Sequence, residues 1–238
     1  MTDKSETRPL LVKHDIQTDF VAKVSEWVAE KLQQAVAERG KATLVVSGGR
    51  TPAPIFDVLA QKKVPWQKVV ILLADERWVA ADHEASNTGL VLRHLMTGPA
   101  AAARFLRFPY SGLEVATDAA LADQQLDSMQ DPFDVVLLGM GDDGHTASLF
   151  PCAPQLQQGL SGRPQANCLA ITPTEAPHAR LSLTLPRLLN SRNLLLLLQG
   201  QSKLEVFNKA MAGENINEMP VRGILQQHRV PVWVHWCP

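Results

Sequence analysis

The feature that most narrows the fold of this chain is a set of short apolar runs that scarcely alternate with polar residues. Thr43–Val46, Val69–Leu73, Phe133–Leu138 and Asn193–Leu198 are nearly continuous in Val, Ile and Leu. Runs of this length are strands buried on both faces, as in parallel sheets. Arg180–Thr184 alternates instead, and Val230–Trp236 reads as a last strand. Helical segments separate the runs. Ile16–Ala37 carries Phe20, Val21, Val24, Trp27, Val28, Leu32 and Val36 at helical spacing, and Gly40 stops it. Pro52 suits the first turn of a helix through Ile55, Phe56 and Leu59. Further helices are expected over Ser86–Met96, over Thr117–Met129 and through Val206 and Ala210. The alternation implies an α/β fold: a Rossmann-like, doubly wound, mostly parallel sheet with helices on both faces. At 238 residues, the chain is expected to form a single such domain over residues 1–238.

In open sheets of this kind ligands bind at the carboxyl ends of the strands. Three loops at such ends concentrate unusual residues. Phe133–Leu138 opens into Gly139-Met-Gly-Asp-Asp-Gly-His-Thr-Ala-Ser-Leu-Phe-Pro151. His145 is a natural general base, because an imidazole with its ordinary pKa of about 6.5 offers a lone pair at neutral pH. Asp143 could fix its tautomer and stabilise imidazolium, while Thr146 and Ser148 add donors at an expected helix start. The second loop, Ser47-Gly48-Gly49-Arg50-Thr51-Pro52, lets backbone N–H groups approach an anion at a helix N-terminus. It is neither a Walker A nor a GxGxxG pattern. In the third, Ala74–Val79, Asp75 could orient a sugar hydroxyl or a base and Arg77 could hold an anion. Ser86 and Asn87 beyond it cap the next helix. Two further cations, Arg180 and Lys203, stand at a strand start and in a first helical turn. The helix dipole disfavours Lys203 there unless an anion is near.

Composition excludes several other classes. A formal net charge of −1 provides no basic field for nucleic acid or an anionic membrane. The apolar runs, Leu194–Leu198 among them, are far too short to cross a bilayer. Met1–Pro9 is polar and charged, so no secretory leader is expected there. Cys152, Cys168 and Cys237 are odd in number and lack a CxxC pair, which suggests reduced thiols in a cytoplasmic protein. Asp75, His83, Asp143 and His145 could gather around zinc, but their spacing is not that of a zinc motif, and no metal is expected. No GxSxG elbow is present to supply a serine nucleophile.

Taken together, SGGRTP, ADERWV with Ser86-Asn87, GMGDDGHTASLFP, Arg180 and GQSK resemble the 6-phosphogluconolactonase family in order and approximate spacing, from about Val46 to Lys203. That family resembles the glucosamine-6-phosphate deaminases in fold. The resemblance implies hydrolysis of 6-phosphoglucono-δ-lactone, the second step of the oxidative pentose phosphate pathway, without metal or organic cofactor. It casts His145 as the base, and the glycine loop, Arg180 and Lys203 as sugar-phosphate contacts. The expected partner is a small sugar-phosphate lactone, and the protein is expected to be a monomer or small homo-oligomer. Val232–Trp236 lacks the aspartate that often follows the last strand in the deaminase pattern.

The chemistry is consistent with this. A δ-lactone is an activated ester that needs one base for water and donors for the oxyanion. Arg77 or loop N–H groups could serve as those donors. Two rivals are a deaminase/isomerase and a non-catalytic sugar-phosphate sensor. The deaminases place a glutamate before the proline that ends the segment; this chain has Phe150, which cannot transfer a proton. A sensor has no need of Asp143 and His145 together.

Overall fold

The computed structural model describes residues 9–161 and 166–238. The stretch read for a leader therefore lies outside them, apart from Pro9. Among the described residues ten strands form: β1 (Leu10–Lys13), β2 (Ala42–Val46), β3 (Val69–Leu73), β4 (Asp75–Arg77), β5 (Arg104–Leu106), β6 (Val135–Leu138), β7 (Cys168–Ile171), β8 (Arg180–Leu183), β9 (Leu194–Gln199) and β10 (Val232–Cys237). The α-helices among the described residues are α1 (Gln17–Arg39), α2 (Pro52–Leu59), α3 (Asn87–His94), α4 (Val115–Asp127), α5 (Leu156–Ser161), α6 (Leu185–Leu189), α7 (Gln201–Ala212) and α8 (Arg222–Leu225).

Seven strands make one sheet in the order β1-β10-β9-β6-β2-β3-β5, and every pairing in it is parallel. From β2 the chain steps outward through β3 to β5. It then returns to β6 on the other side of β2 and steps outward through β9 and β10. The winding thus reverses between β2 and β6. Connections there leave the sheet towards opposite faces, so a crevice opens at the carboxyl ends.

The apolar runs are continuous because both faces are covered. Leu44, Val46, Val135, Leu137, Leu195 and Leu197 pack with α1, α2 and α3 through Phe20, Leu32, Phe56 and Val91. Their neighbours Val45, Val136, Leu138, Leu194, Leu196 and Leu198 pack on the other side with α4 and α7 through Leu126, Leu204 and Phe207. Helix α1 ends where Gly40 adopts a left-handed conformation (φ 75) and donates its N–H to Val36 O. Among the described residues, no helix is long and apolar enough to cross a membrane. Cys152, Cys168 and Cys237 are free thiols.

A second, antiparallel sheet of order β4-β8-β7 departs from the sequence reading. The Asp75–Arg77 stretch, read as a loop, continues β3 through Ala74 and pairs with β8, so that Arg77 lies opposite Arg180. The alternating Arg180 strand accordingly belongs to this small sheet and not to the large one. Strands β1, β5 and β7 were not anticipated, being too short to show a period. The helix expected at Thr146 and Ser148 does not form. Thr146 and Leu149 instead bridge antiparallel, and α5 begins only at Leu156.

Candidate active site

The segment leaving β6 folds back on itself. Gly141 N–H donates to His145 O at 2.8 Å, Gly144 N–H to Gly141 O at 3.1 Å, and Thr146 Oγ1 to Gly139 O at 2.9 Å. Within this coil Asp143 Oδ1 accepts the His145 backbone N–H at 3.0 Å and meets His145 Nδ1 at 2.6 Å. The dyad lies directly over Gly141: a Cβ there would stand 2.1 Å from His145 Nδ1 and 2.5 Å from Asp143 Oδ1. Only glycine admits that packing. Ala147, just beyond, has a φ of 49, a strained conformation for a residue with a Cβ.

Burial pushes the Asp143 carboxyl up. The hydrogen bond from the His145 ring, its charge and the backbone N–H outweigh this, and the net position is below the usual carboxylate range. Asp143 therefore remains an acceptor. Nδ1 then carries the hydrogen, and Nε2 is left with the lone pair. The Phe150 ring lies 4.2 Å from the imidazole, tilted by 36°. Phe150 in turn packs on Ala153, Leu169 and Ile171, which anchors the loop to the small sheet.

His145 opens on a cleft of about 280 Å³ at the β2/β6 crevice. Ser47, Gly48, Gly49, Arg50 and Thr51 line it at the start of α2, as do Asp75, Arg77 and Lys203. Gly48 is tightly placed, since a Cβ there would sit 1.8 Å from Asn87 Oδ1. Arg77 Nη1 donates to Ala85 O at 2.5 Å. Lys203, in the first turn of α7, places Nζ 2.6 Å from Asp142 Oδ1. The cations Arg50, Arg77 and Lys203 thus share one cleft with the glycine loop, an arrangement suited to an anionic ligand.

Two expected contacts do not line that cleft. Ser148 is buried and donates Oγ to Asp75 Oδ2 at 2.6 Å. Arg180 is also buried, and its Nε and Nη1 have no hydrogen-bond partner among the described residues. Burial and the neighbouring Arg77 guanidinium lower its pKa, against the pull of Asp75 and Glu76. Ser148 thus holds Asp75 from outside the cleft lining, while the Arg180 guanidinium lies 6.0 Å from the Phe150 ring centroid. His83, weighed as a metal ligand, meets the His178 ring at 5.2 Å.

Three residues have parts here that the sequence reading did not give them. Asn87 lines the cleft and donates Nδ2 to Asp75 O at 2.8 Å, tying α3 to β4. Gln199, at the end of β9, lines it too. Glu76, on the other side of β4 from Asp75, accepts from Asn87 N–H at 2.8 Å and Thr88 N–H at 2.6 Å. Its carboxylate thus sits at the N-terminus of α3. Burial nevertheless raises its pKa. The one available signal was Ser86-Asn87 itself, and Ser86 does cap α3, its side chain accepting from Gly89 N–H.

This geometry can be set beside known proteins. The family model for glucosamine-6-phosphate isomerases/6-phosphogluconolactonase matches residues 15–234. The chain belongs to this family. A 6-phosphogluconolactonase of Pseudomonas putida is 44% identical over 219 residues, covering 92% of this chain and 89% of that one. A 6-phosphogluconolactonase of Pseudomonas aeruginosa is 46% identical over 213 residues, covering 89% of this chain and 87% of that one. The crystal structure of a 6-phosphogluconolactonase from Shewanella baltica superposes with a TM-score of 0.94 at 41% identity, covering 98% of this chain and 99% of that one. A monomeric glucosamine-6-phosphate deaminase shares the fold, with a TM-score of 0.77 at 18% identity over 96% of this chain and 97% of that one. Family membership alone therefore leaves the choice between the two reactions to the site.

Proposed function

We propose that this chain hydrolyses 6-phosphoglucono-δ-lactone to 6-phosphogluconate, with His145 as the general base. The observation that carries the reading is the 2.6 Å contact of Asp143 Oδ1 with His145 Nδ1 at the edge of a cleft lined by cations. Nε2 takes a proton from water as the water oxygen attacks the lactone carbonyl carbon. The tetrahedral intermediate then collapses, the bond from that carbon to the ring oxygen breaks, and the imidazolium returns its proton to the departing oxygen. Asp143 holds the tautomer and stabilises the transient cation. The Ser47–Thr51 loop, Lys203 and Arg50 bind the phosphate end, whose remote binding energy positions the reacting carbonyl. Arg77 or loop N–H groups face the developing oxyanion.

Phe150 favours hydrolysis over deamination. Isomerising an amino-sugar phosphate requires a proton to move between carbons, and an apolar ring against His145 gives no group to move it. The test is acid release from fresh lactone, corrected for spontaneous opening, alongside ammonia release from glucosamine 6-phosphate. Rapid hydrolysis without ammonia is expected. Ammonia formation at a comparable rate overturns the assignment.

A further inference from the structure

The two adjacent aspartates of the β6 loop have different partners. Asp143 turns to His145, whereas Asp142 Oδ1 holds Lys203 Nζ at 2.6 Å. Lys203 occupies the first turn of α7, where the helix dipole disfavours a cation unless an anion stands beside it. Asp142 is that anion. The pair is asymmetric: the Asp142 side chain is 82% exposed and that of Lys203 25%. An ion pair with one partner so open to water is weak and readily exchanged.

We infer that Asp142 stands in for the substrate's phosphate at Lys203 and so tempers the affinity of the cleft for phosphorylated ligands. The inference rests on the reading of Lys203 as a phosphate contact. A phosphate dianion carries more charge than a carboxylate and has the N–H groups of the glycine loop as additional partners, so it takes Lys203 from Asp142. A ligand without a phosphate leaves the pair in place, so the competition does not touch it. The same competition returns Lys203 to Asp142 when product leaves, so Asp142 weakens retention of the phosphorylated product.

The test is calorimetric titration of 6-phosphogluconate and, separately, of inorganic phosphate into the wild type, Asp142→Asn, Lys203→Ala and the double variant. Asp142→Asn should bind both ligands about two- to fivefold more tightly at low salt, as expected for losing an exposed competing pair. The gain should shrink as salt screens the pair, and it should vanish in the Lys203→Ala background. The KM for the lactone should fall by the same factor in Asp142→Asn. Weakened binding by Lys203→Ala, together with unchanged or weakened binding by Asp142→Asn, overturns this inference alone. So does a gain that persists without Lys203. Unchanged binding by Lys203→Ala removes the phosphate role of Lys203, and the inference with it.

Discussion

His145 and His235 each engage a neighbour through Nδ1, at 2.6 Å to Asp143 and at 2.9 Å to His14 Nε2. The partner and the burial make them different groups. His145 is 28% exposed and bonded to a carboxylate held below its usual range. His145 lines the cleft. His235 lies on β10, buried between the sheet and α1, and its Nε2 has no partner among the described residues. Burial first, and then repulsion from His14, push its pKa down to about 4. A carboxylate partner and partial solvent access suit an imidazole to the proposed role of base. A second imidazole and burial give one that stays neutral and packs. A histidine's role in this chain therefore follows from its neighbours and not from its residue type.

The largest expected effect separates the two outright. His145→Ala should lower kcat for lactone hydrolysis by about 10²–10⁴-fold while the protein stays folded, after spontaneous opening is subtracted. Wild-type kcat in that variant would remove His145 from the chemistry.

The next effect concerns stability. Unfolded, His235 has an ordinary pKa of about 6.5, and folded, it has a pKa of about 4. Between these values the unfolded chain binds more protons, so stability falls as pH drops from about 6.5 to about 4. The full contribution is roughly 3 kcal/mol. Denaturant midpoints measured across that window should fall in the wild type and flatten in His235→Leu. Identical slopes in both proteins would place the acid-sensitive group elsewhere.

A smaller loss should follow Asp143→Asn. The amide keeps the shape but cannot stabilise imidazolium, so kcat should drop about ten- to a hundredfold, the value of a hydrogen bond to a charged group. KM should change little, because in the proposed arrangement Asp143 touches the base and not the phosphate end. A rise in KM at constant kcat would recast Asp143 as a binding group.

The smallest effect sharpens the contrast. Asp19 approaches His14 Nδ1 at only 3.4 Å and also pairs with Lys23 at 2.9 Å, with its side chain 38% exposed. Asp19→Asn should leave lactone hydrolysis unchanged and the melting temperature nearly so. A loss of activity comparable to that of Asp143→Asn would mean that the edge histidines are coupled to the cleft.

Much of this was legible before the structure, for local reasons. Continuous apolar runs separated by helical periods can only bury themselves as a parallel sheet covered on both faces. Glycines at Gly48 and Gly141 mark backbone that must approach another group closely, and both do so. Asp143 and His145 are near enough in sequence for one loop to bring them together. Tertiary structure decided the rest. Ser148 finds Asp75 across 73 residues, and Arg77 becomes a strand residue only because β8 arrives opposite it. Asn87 and Gln199 reach the cleft because the sheet reverses its winding between β2 and β6 and gathers several strand ends there. Asp142 and His235 likewise owe their partners to elements far along the chain, Lys203 on α7 and His14 beside β1. A local pattern determines how a loop bends. Which distant side chain it meets depends on strand order, and no short stretch of sequence contains that order.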